Sequence, residues 1–438
     1  MTNSGTHPAT AAVPLGFALG VSPGPRLGAR DPEGNDALET LARDGVNLIR
    51  LPKIDEGELD GVTPGRGPLP PSVQHVADQL DWAHRAGQAA GRAIYVAINL
   101  GELSAPDGGP IRRRWLDYVV RRFREHPAAG VWKMLDEPNN PYTPDDKERE
   151  LRVGLRRGYR RIRELDTAHP CWVTQAPQPP RRVTLRYLRA YRDAADIHAI
   201  DLYPVSDPIG KHSGIRNTQP SAVGDYAARL AALARECTVA GQPRWVWMVL
   251  QGAGWSGVVP RDERRRPMGP VLMQPTAAML RYMTWHAIAC GAQGLLYFGM
   301  NVGLYPDMAP LGWDWGYWRG AVVPLLRELR SAAVAPALAA CAPGPAEVIG
   351  TPSGPRITTR FLPSPERPAV LVATRSERRR GEPAEATVRL LLSSPASPAG
   401  TTVEVCFEHR SARVLNGAVE DAFIPHQVHV YCIASPTE

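Results

Sequence analysis

Two adjacent carboxylates, Asp136 and Glu137, close the apolar run Gly130-Val131-Trp132-Lys133-Met134-Leu135 and are followed by Pro138, Asn139 and Asn140. Carboxylates this close can divide proton donation from charge stabilisation, because mutual repulsion makes one of them keep its proton. Asp201 ends a second run, Ala199-Ile200-Asp201-Leu202-Tyr203-Pro204, and Arg50 a third, Asn47-Leu48-Ile49-Arg50-Leu51-Pro52. Gln251 and Gly252 end a fourth, with Trp255 just beyond; Tyr297, Asn301 and the cluster Trp313-Asp314-Trp315-Gly316-Tyr317-Trp318 belong to a fifth. Such a mixture suits carbohydrate, since aromatic rings stack on the apolar faces of sugars while charged and amide groups bind hydroxyls. Arg50, Asn139, Tyr203, Gln251, Trp255, Tyr297, Trp313 and Trp315 are the candidate sugar contacts.

These residues need elements that carry them to one place. Short apolar runs alternate with amphipathic stretches along most of the chain, the pattern of βα units around a parallel sheet. Eight strands are predicted: Leu15 to Val21, Val46 to Leu51, Ala93 to Ile98, Gly130 to Leu135, Cys171 to Gln175, Asp196 to Leu202, Trp245 to Leu250 and Gly294 to Phe298. Helices are expected over Asn35 to Asp44, Ser72 to Ala86, Arg112 to Glu125, Asp145 to Asp166, Ala222 to Cys237 and Thr276 to Cys290. Strand-then-helix order throughout makes a closed (β/α)8 TIM barrel the economical α/β arrangement, with catalytic groups at the carboxyl ends of the strands. A doubly wound sheet would call for a Gly-rich phosphate loop, and neither GxGxxG nor GxxxxGK[ST] occurs. Neighbouring strand residues point to opposite sides, so Asp136 and Glu137 share a cavity only if the chain turns there, as Pro138 would allow.

Beyond residue 340 the composition shifts to Thr, Val, Pro and Ser with short alternating runs, which predicts a small all-β sandwich. The expected organisation is a tail over residues 1–13, a barrel over 14–340 and a sandwich over 341–438.

The 438 residues, 43% of them apolar and 11 of them tryptophan, can fill a large core and argue against general disorder. The net charge of +7 comes from arginines in helical segments, where it reads as a solvated outer face rather than a nucleic-acid surface. Six scattered cysteines without a CxxC pair read as reduced and buried, and His198 and His286, within apolar runs, as core histidines. Trp245 and Trp247 read as packing residues, and the tryptophans from Trp313 to Trp318 as a sugar platform in a loop. No HExxH, calcium loop or GxSxG elbow occurs, so neither a metal nor a cofactor is expected. Without a signal or membrane segment, the expected location is cytoplasmic, or secreted if a leader has been removed, with no membrane partner.

Arg50 in its Asn-x-Ile-Arg-x-Pro context, Glu137 closing strand four, Tyr203 closing strand six and the sandwich tail together resemble clan A glycoside hydrolases, a group of (β/α)8 retaining glycosidases. In architecture the resemblance spans roughly residues 14 to 438. It implies that Glu137 is the general acid/base, and that the partner nucleophile is a glutamate ending strand seven. This chain departs twice: Asp136 stands where the clan has Asn, and Gln251 takes the strand-seven place. An amide neither attacks an anomeric carbon nor activates water, so the two-carboxylate route needs another acid. Asp201 is the preferred candidate, with Asp136, Asp314 and Glu102 behind it. Alternatively the substrate attacks itself, since Asp136-Glu137 resembles the Asp-Glu pair of retaining hexosaminidases that use an acetamido group. The expected activity is cleavage of an O-glycosidic bond in an oligo- or polysaccharide. Carbohydrate binding without catalysis on the same barrel is the alternative, and a lyase or transglycosylase a third.

Overall fold

The computed structural model describes residues 16–105, 109–140, 143–177, 188–205, 219–241, 243–252, 274–300, 313–341, 347–349, 355–364, 369–391 and 402–433. Eight strands form a closed barrel in chain order: β1 (Ala18–Ser22), β2 (Leu48–Arg50), β3 (Tyr95–Asn99), β4 (Ala129–Asp136), β5 (Cys171–Gln175), β6 (Ile197–Leu202), β7 (Trp245–Gln251) and β8 (Gly294–Phe298). Each overlaps a predicted strand. Their sequences are near-continuous apolar runs because barrel strands are covered on both faces, inside by one another and outside by helices. Helices α1 (Ala37–Asp44), α2 (Pro71–Ala90), α3 (Gly109–Phe123) and α4 (Asp145–Leu165) follow strands in the expected alternation. Asp36 caps α1 by accepting from the amides of Leu38 and Glu39, and Gly45 ends it in the left-handed conformation that favours glycine. No helix among the described residues is long and apolar enough to cross a membrane.

The chain divides into two compact units, Met1–Asp201 with Leu233–Trp245, and Leu202–Ala232 with Val246–Glu438. The first holds β1 to β5 and nearly all of β6. The second holds β8, all but the first residue of β7, and the C-terminal antiparallel sheet.

That sheet contains β9 (Glu347–Ile349), β10 (Ile357–Leu362), β11 (Ala369–Arg375), β12 (Ala386–Leu391), β13 (Thr402–Val405), β14 (Arg410–Leu415), β15 (Ala418–Phe423) and β16 (Val428–Ile433), in the order β12-β15-β14-β13-β16-β11-β10-β9. It folds over a core that includes Ile357, Leu371, Leu390, Val405, Val414, Val419, Phe423 and Tyr431, as the alternating pattern requires. The helix Ala277–Ala289 lies beneath it. Arg281 donates to the Val428 carbonyl at 3.0 Å, and His286 Nδ1 meets Thr374 Oγ1 at 2.8 Å. From Tyr282 to Ala289 every residue of this helix is buried, which explains its mostly apolar sequence there. Gly224 passes so close that a Cβ there would stand 2.2 Å from His286 Nε2.

The cysteines depart from expectation in one respect. Cys171, Cys237, Cys290 and Cys341 are free and buried, but Cys406 and Cys432, brought together by the β13–β16 pairing, form a disulfide. Their separation of 26 residues hid the pair, since sheet neighbours need not be close in sequence. His198 and His286 are core residues; burial holds their imidazoles at about 3 and about 4, below the ordinary histidine value.

Candidate active site

The first unit gathers Arg50, Lys133, Asp136, Glu137 and Asp201. Their convergence begins with an irregularity in β4. Lys133 pairs with Trp172 of β5 and Asp136 with Thr174, so three steps along β4 match two along β5. An extra residue of this kind re-aims every side chain beyond it. Lys133 and Asp136, which simple alternation would place on opposite faces, thus meet: Lys133 Nζ lies 2.9 Å from Asp136 Oδ1. Arg50 holds the other oxygen, with its Nη1 3.1 Å from Asp136 Oδ2, while its Nε donates to Ser22 Oγ at 2.7 Å. The ends of β1, β2 and β4 are tied together through one guanidinium.

At Glu137 the strand stops. Its amide still donates to the Thr174 carbonyl at 3.0 Å, but its backbone is left-handed, with φ of 44°. A glutamate pays conformational strain for that position, and such strain is concentrated at functional sites. Asn140 closes the turn, its amide donating to the Glu137 carbonyl at 2.9 Å and its Nδ2 to Glu137 Oε2 at 2.8 Å. Pro138 therefore sits in the turn the sequence predicts.

The charges sort the three acids. Partial burial pushes Asp136 up, but Lys133 and Arg50 outweigh it and hold the carboxyl at about 2. For Asp201 the balance is reversed. Withdrawal from water, then the charges of Glu137 and Asp136, push it well above the ordinary carboxylate range, and it donates a hydrogen bond to Glu137. Asp136 is held ionised, whereas Asp201 is pushed toward its protonated form.

Lys133 and Asn140 were not singled out by sequence reasoning. Lys133 had a signal: a charged residue inside a buried apolar strand requires a counter-ion. Fully buried, its ammonium also donates to the Met134 carbonyl at 2.9 Å and the Leu135 carbonyl at 3.3 Å, and lies 5.2 Å from the Trp172 ring centroid.

Several expected sugar contacts have other work. Asn139 is buried; its Oδ1 accepts from Ala176 N at 2.7 Å and its Nδ2 donates to the Ala176 carbonyl at 3.4 Å, so it clamps the loop after β5. In the first unit, too, Glu102 pairs with Lys53 at 2.7 Å.

In the second unit, Gln251 clamps Val205 in the same way as Asn139 clamps Ala176. Tyr297 is buried and its hydroxyl meets Thr284 Oγ1 at 3.1 Å, so it belongs to the core beneath helix Ala277–Ala289. Asp314 caps a short helix, accepting from Tyr317 N at 3.0 Å. Trp313 and Trp318 are buried with ring centroids 5.7 Å apart, which leaves Trp315 as the partly exposed ring of the three, overlain by Arg319. The expected loop there is a short helix, Trp315–Tyr317, that runs into the turn Trp318–Val322. Tyr203 is partly exposed and stacks on Phe298 at 4.9 Å. Of the strand-seven pair, Trp247 is buried and Trp245 partly exposed. Trp255 and Asn301 lie outside the described residues.

Solved structures share this architecture. A glycoside hydrolase family 5 protein from Bacteroides vulgatus is 11% identical with a TM-score of 0.55, over 95% of this chain and 89% of that one. An α-amylase from Geobacillus thermoleovorans, solved with acarbose, is 10% identical with a TM-score of 0.53, over 97% of this chain and 99% of that one. A protein described as a glycoside hydrolase is 12% identical with a TM-score of 0.56, over 96% and 93%. No family model and no curated protein matches the sequence. The chain has the fold of glycoside hydrolases, a closed (β/α)8 barrel followed by an antiparallel β domain.

Proposed function

We propose that this protein is a glycoside hydrolase that cleaves an O-glycosidic bond with Glu137 as general acid/base. The observation that carries the reading is the hydrogen bond between Asp201 and Glu137 at the carboxyl ends of β6 and β4, on a barrel of glycosidase fold. Active sites of such barrels lie at that end, and a carboxyl pair sharing one proton supplies an acid near neutral pH.

The same contact argues against Asp201 as the attacking nucleophile. Carboxyl groups of a retaining pair stand about 5 Å apart to admit the anomeric carbon, and those of an inverting pair further still. Groups in hydrogen-bond contact leave no such room. Asp201 acts instead as the proton-sharing partner of Glu137. The attack then comes from the substrate: the carbonyl oxygen of a 2-acetamido group bonds to the anomeric carbon as the glycosidic bond breaks and Glu137 protonates the leaving oxygen. Asp136, ionised and half exposed, accepts the acetamide N–H and offsets the positive charge on the cyclic intermediate. Water then opens that intermediate and returns a proton to Glu137.

Reducing-sugar release from N-acetylated and non-acetylated oligosaccharides and aryl glycosides tests this, with wild type, Glu137→Gln and Asp201→Asn in parallel. Turnover restricted to 2-acetamido sugars and abolished in Glu137→Gln is the expected result. Full turnover by Glu137→Gln on a substrate with a poor leaving group would sink the assignment. Saturable sugar binding with no turnover in any protein would favour the non-catalytic reading, which the locked Gln251 amide also favours.

A further inference from the structure

A lysine in the middle of a buried parallel strand is costly unless its charge is matched. Lys133 is fully enclosed, and its donors are spent on the Met134 and Leu135 carbonyls and on Asp136 Oδ1. Burial pushes its ammonium down while the Asp136 charge works against that, and the three spent donors hold it in place rather than free to reach for substrate. Around it stand the acidic groups of β4 and β6, the Arg50 guanidinium of β2 and the Trp172 ring of β5. Lys133 and Arg50 grip opposite oxygens of Asp136, and neither contact is available to Glu137, which Asn140 and Asp201 hold.

We propose that Lys133 is a positioning residue of this site: from inside the barrel it fixes Asp136 as a permanent anion and so leaves the exchangeable proton to the Glu137–Asp201 pair. Two cations against three carboxyls leave the cluster neutral when one proton is present, and both cations grip Asp136. The β4 irregularity is what makes this possible, because without it the ammonium and the Asp136 carboxylate would face away from each other. Asp136 held at about 2, and Asp201 pushed well above the carboxylate range, agree with the geometry.

The inference rests on the function proposed above for its kinetic consequences, but not for its electrostatic one, and the experiment separates them. In protein labelled with 13C at the Asp and Glu carboxyls, with Asp136→Asn assigning the signal, Asp136 is expected to titrate near pH 2 in wild type and about one unit or more higher in Lys133→Met. In pH-rate profiles the alkaline limb of Lys133→Met is expected to move up by about one unit, with kcat at the optimum down about tenfold and KM within about twofold. The doubly neutral Lys133→Met/Asp136→Asn variant is expected to return the limb to the wild-type position. Should Lys133→Met not fold, the same ammonium is read from Asp136→Asn against the double variant, the former having the lower limb.

An unmoved Asp136 titration, or a fall in kcat that tracks lost thermal stability with an unchanged pH profile, would overturn the proposal. If wild type cleaves no glycoside, the proposed function fails, while the carboxyl titration still decides the role of Lys133.

Discussion

Gln251 grips Val205 by both ends of its amide, with Oε1 2.8 Å from the backbone nitrogen and Nε2 2.6 Å from the backbone oxygen. The side chain copies a strand partner, donating once and accepting once, and closes the end of β7 onto the segment after β6. A carboxylate of the same length accepts but does not donate. Gln251→Glu is therefore expected to set a buried anion against the Val205 carbonyl, to cost about 3 kcal/mol in denaturant unfolding and to leave glycosidase turnover no higher than wild type. A gain in turnover would show that this end of β7 is an intact nucleophile site lacking only its charge.

Asp201 links stability and activity to pH with opposite signs. Its folded-state carboxyl is raised above the unfolded value, so its contribution is fully present below the unfolded pKa and is lost as pH rises through the folded one. Asp201→Asn is expected to gain thermal stability relative to wild type as pH rises from about 4 to 8. Its activity should move the other way: without the raised Asp201 carboxyl, the alkaline limb of the pH-rate profile shifts down by about one unit. Parallel melting curves and pH-rate profiles check both.

Asp136 has the reverse linkage. Its carboxyl is held at about 2, so the stability it supplies is present above the unfolded value and is lost as pH falls through about 2. Asp136→Asn is expected to be less stable than wild type at pH 7 and to converge with it in strong acid. A stability gap that did not close on acidification would mean that the Lys133 and Arg50 contacts contribute nothing through charge.

The tryptophans after β8 separate by exposure. Trp313→Ala is expected to cost about 3 kcal/mol or more, because it empties space beside Trp318. Trp315→Ala should leave the melting temperature within about a degree and, if its ring carries sugar, raise KM about fivefold or more with kcat little changed. Melting curves and steady-state kinetics on the two variants would show whether the ring touches substrate.

Gly224 has no space for a side chain, since an added Cβ would stand 2.2 Å from His286 Nε2 and 2.8 Å from Cys290 Sγ. Gly224→Ala is expected to cost about 2 kcal/mol or more by displacing His286 from Thr374. Unfolding at equal stability to wild type would mean that the helix Ala277–Ala289 shifts without loss.

The barrel was legible because its strands are covered on both faces: runs such as Trp245 to Leu250 and Gly294 to Phe298 announce themselves without alternation. Glu137 was legible because an apolar run ended on it. Lys133 was visible but unread, and its meeting with Asp136 depends on a register shift between β4 and β5 that one strand's sequence does not encode. Asn139, Gln251 and Tyr297 make contacts that the sequence does not announce, for a common reason. Polar groups at strand ends look the same whether they await a ligand or satisfy the backbone of the next loop, and only partner geometry tells them apart.

The shift in β4 also limits how this site can be altered. Lys133 and Asp136 are separated by an extra residue, so a regular strand that kept their three-residue spacing would set the Asp136 carboxylate on the face opposite the ammonium. Anyone transplanting the carboxylates into another barrel would need to carry the segment from Lys133 to Asn140 as a block, because their arrangement belongs to the backbone phase as much as to the side chains.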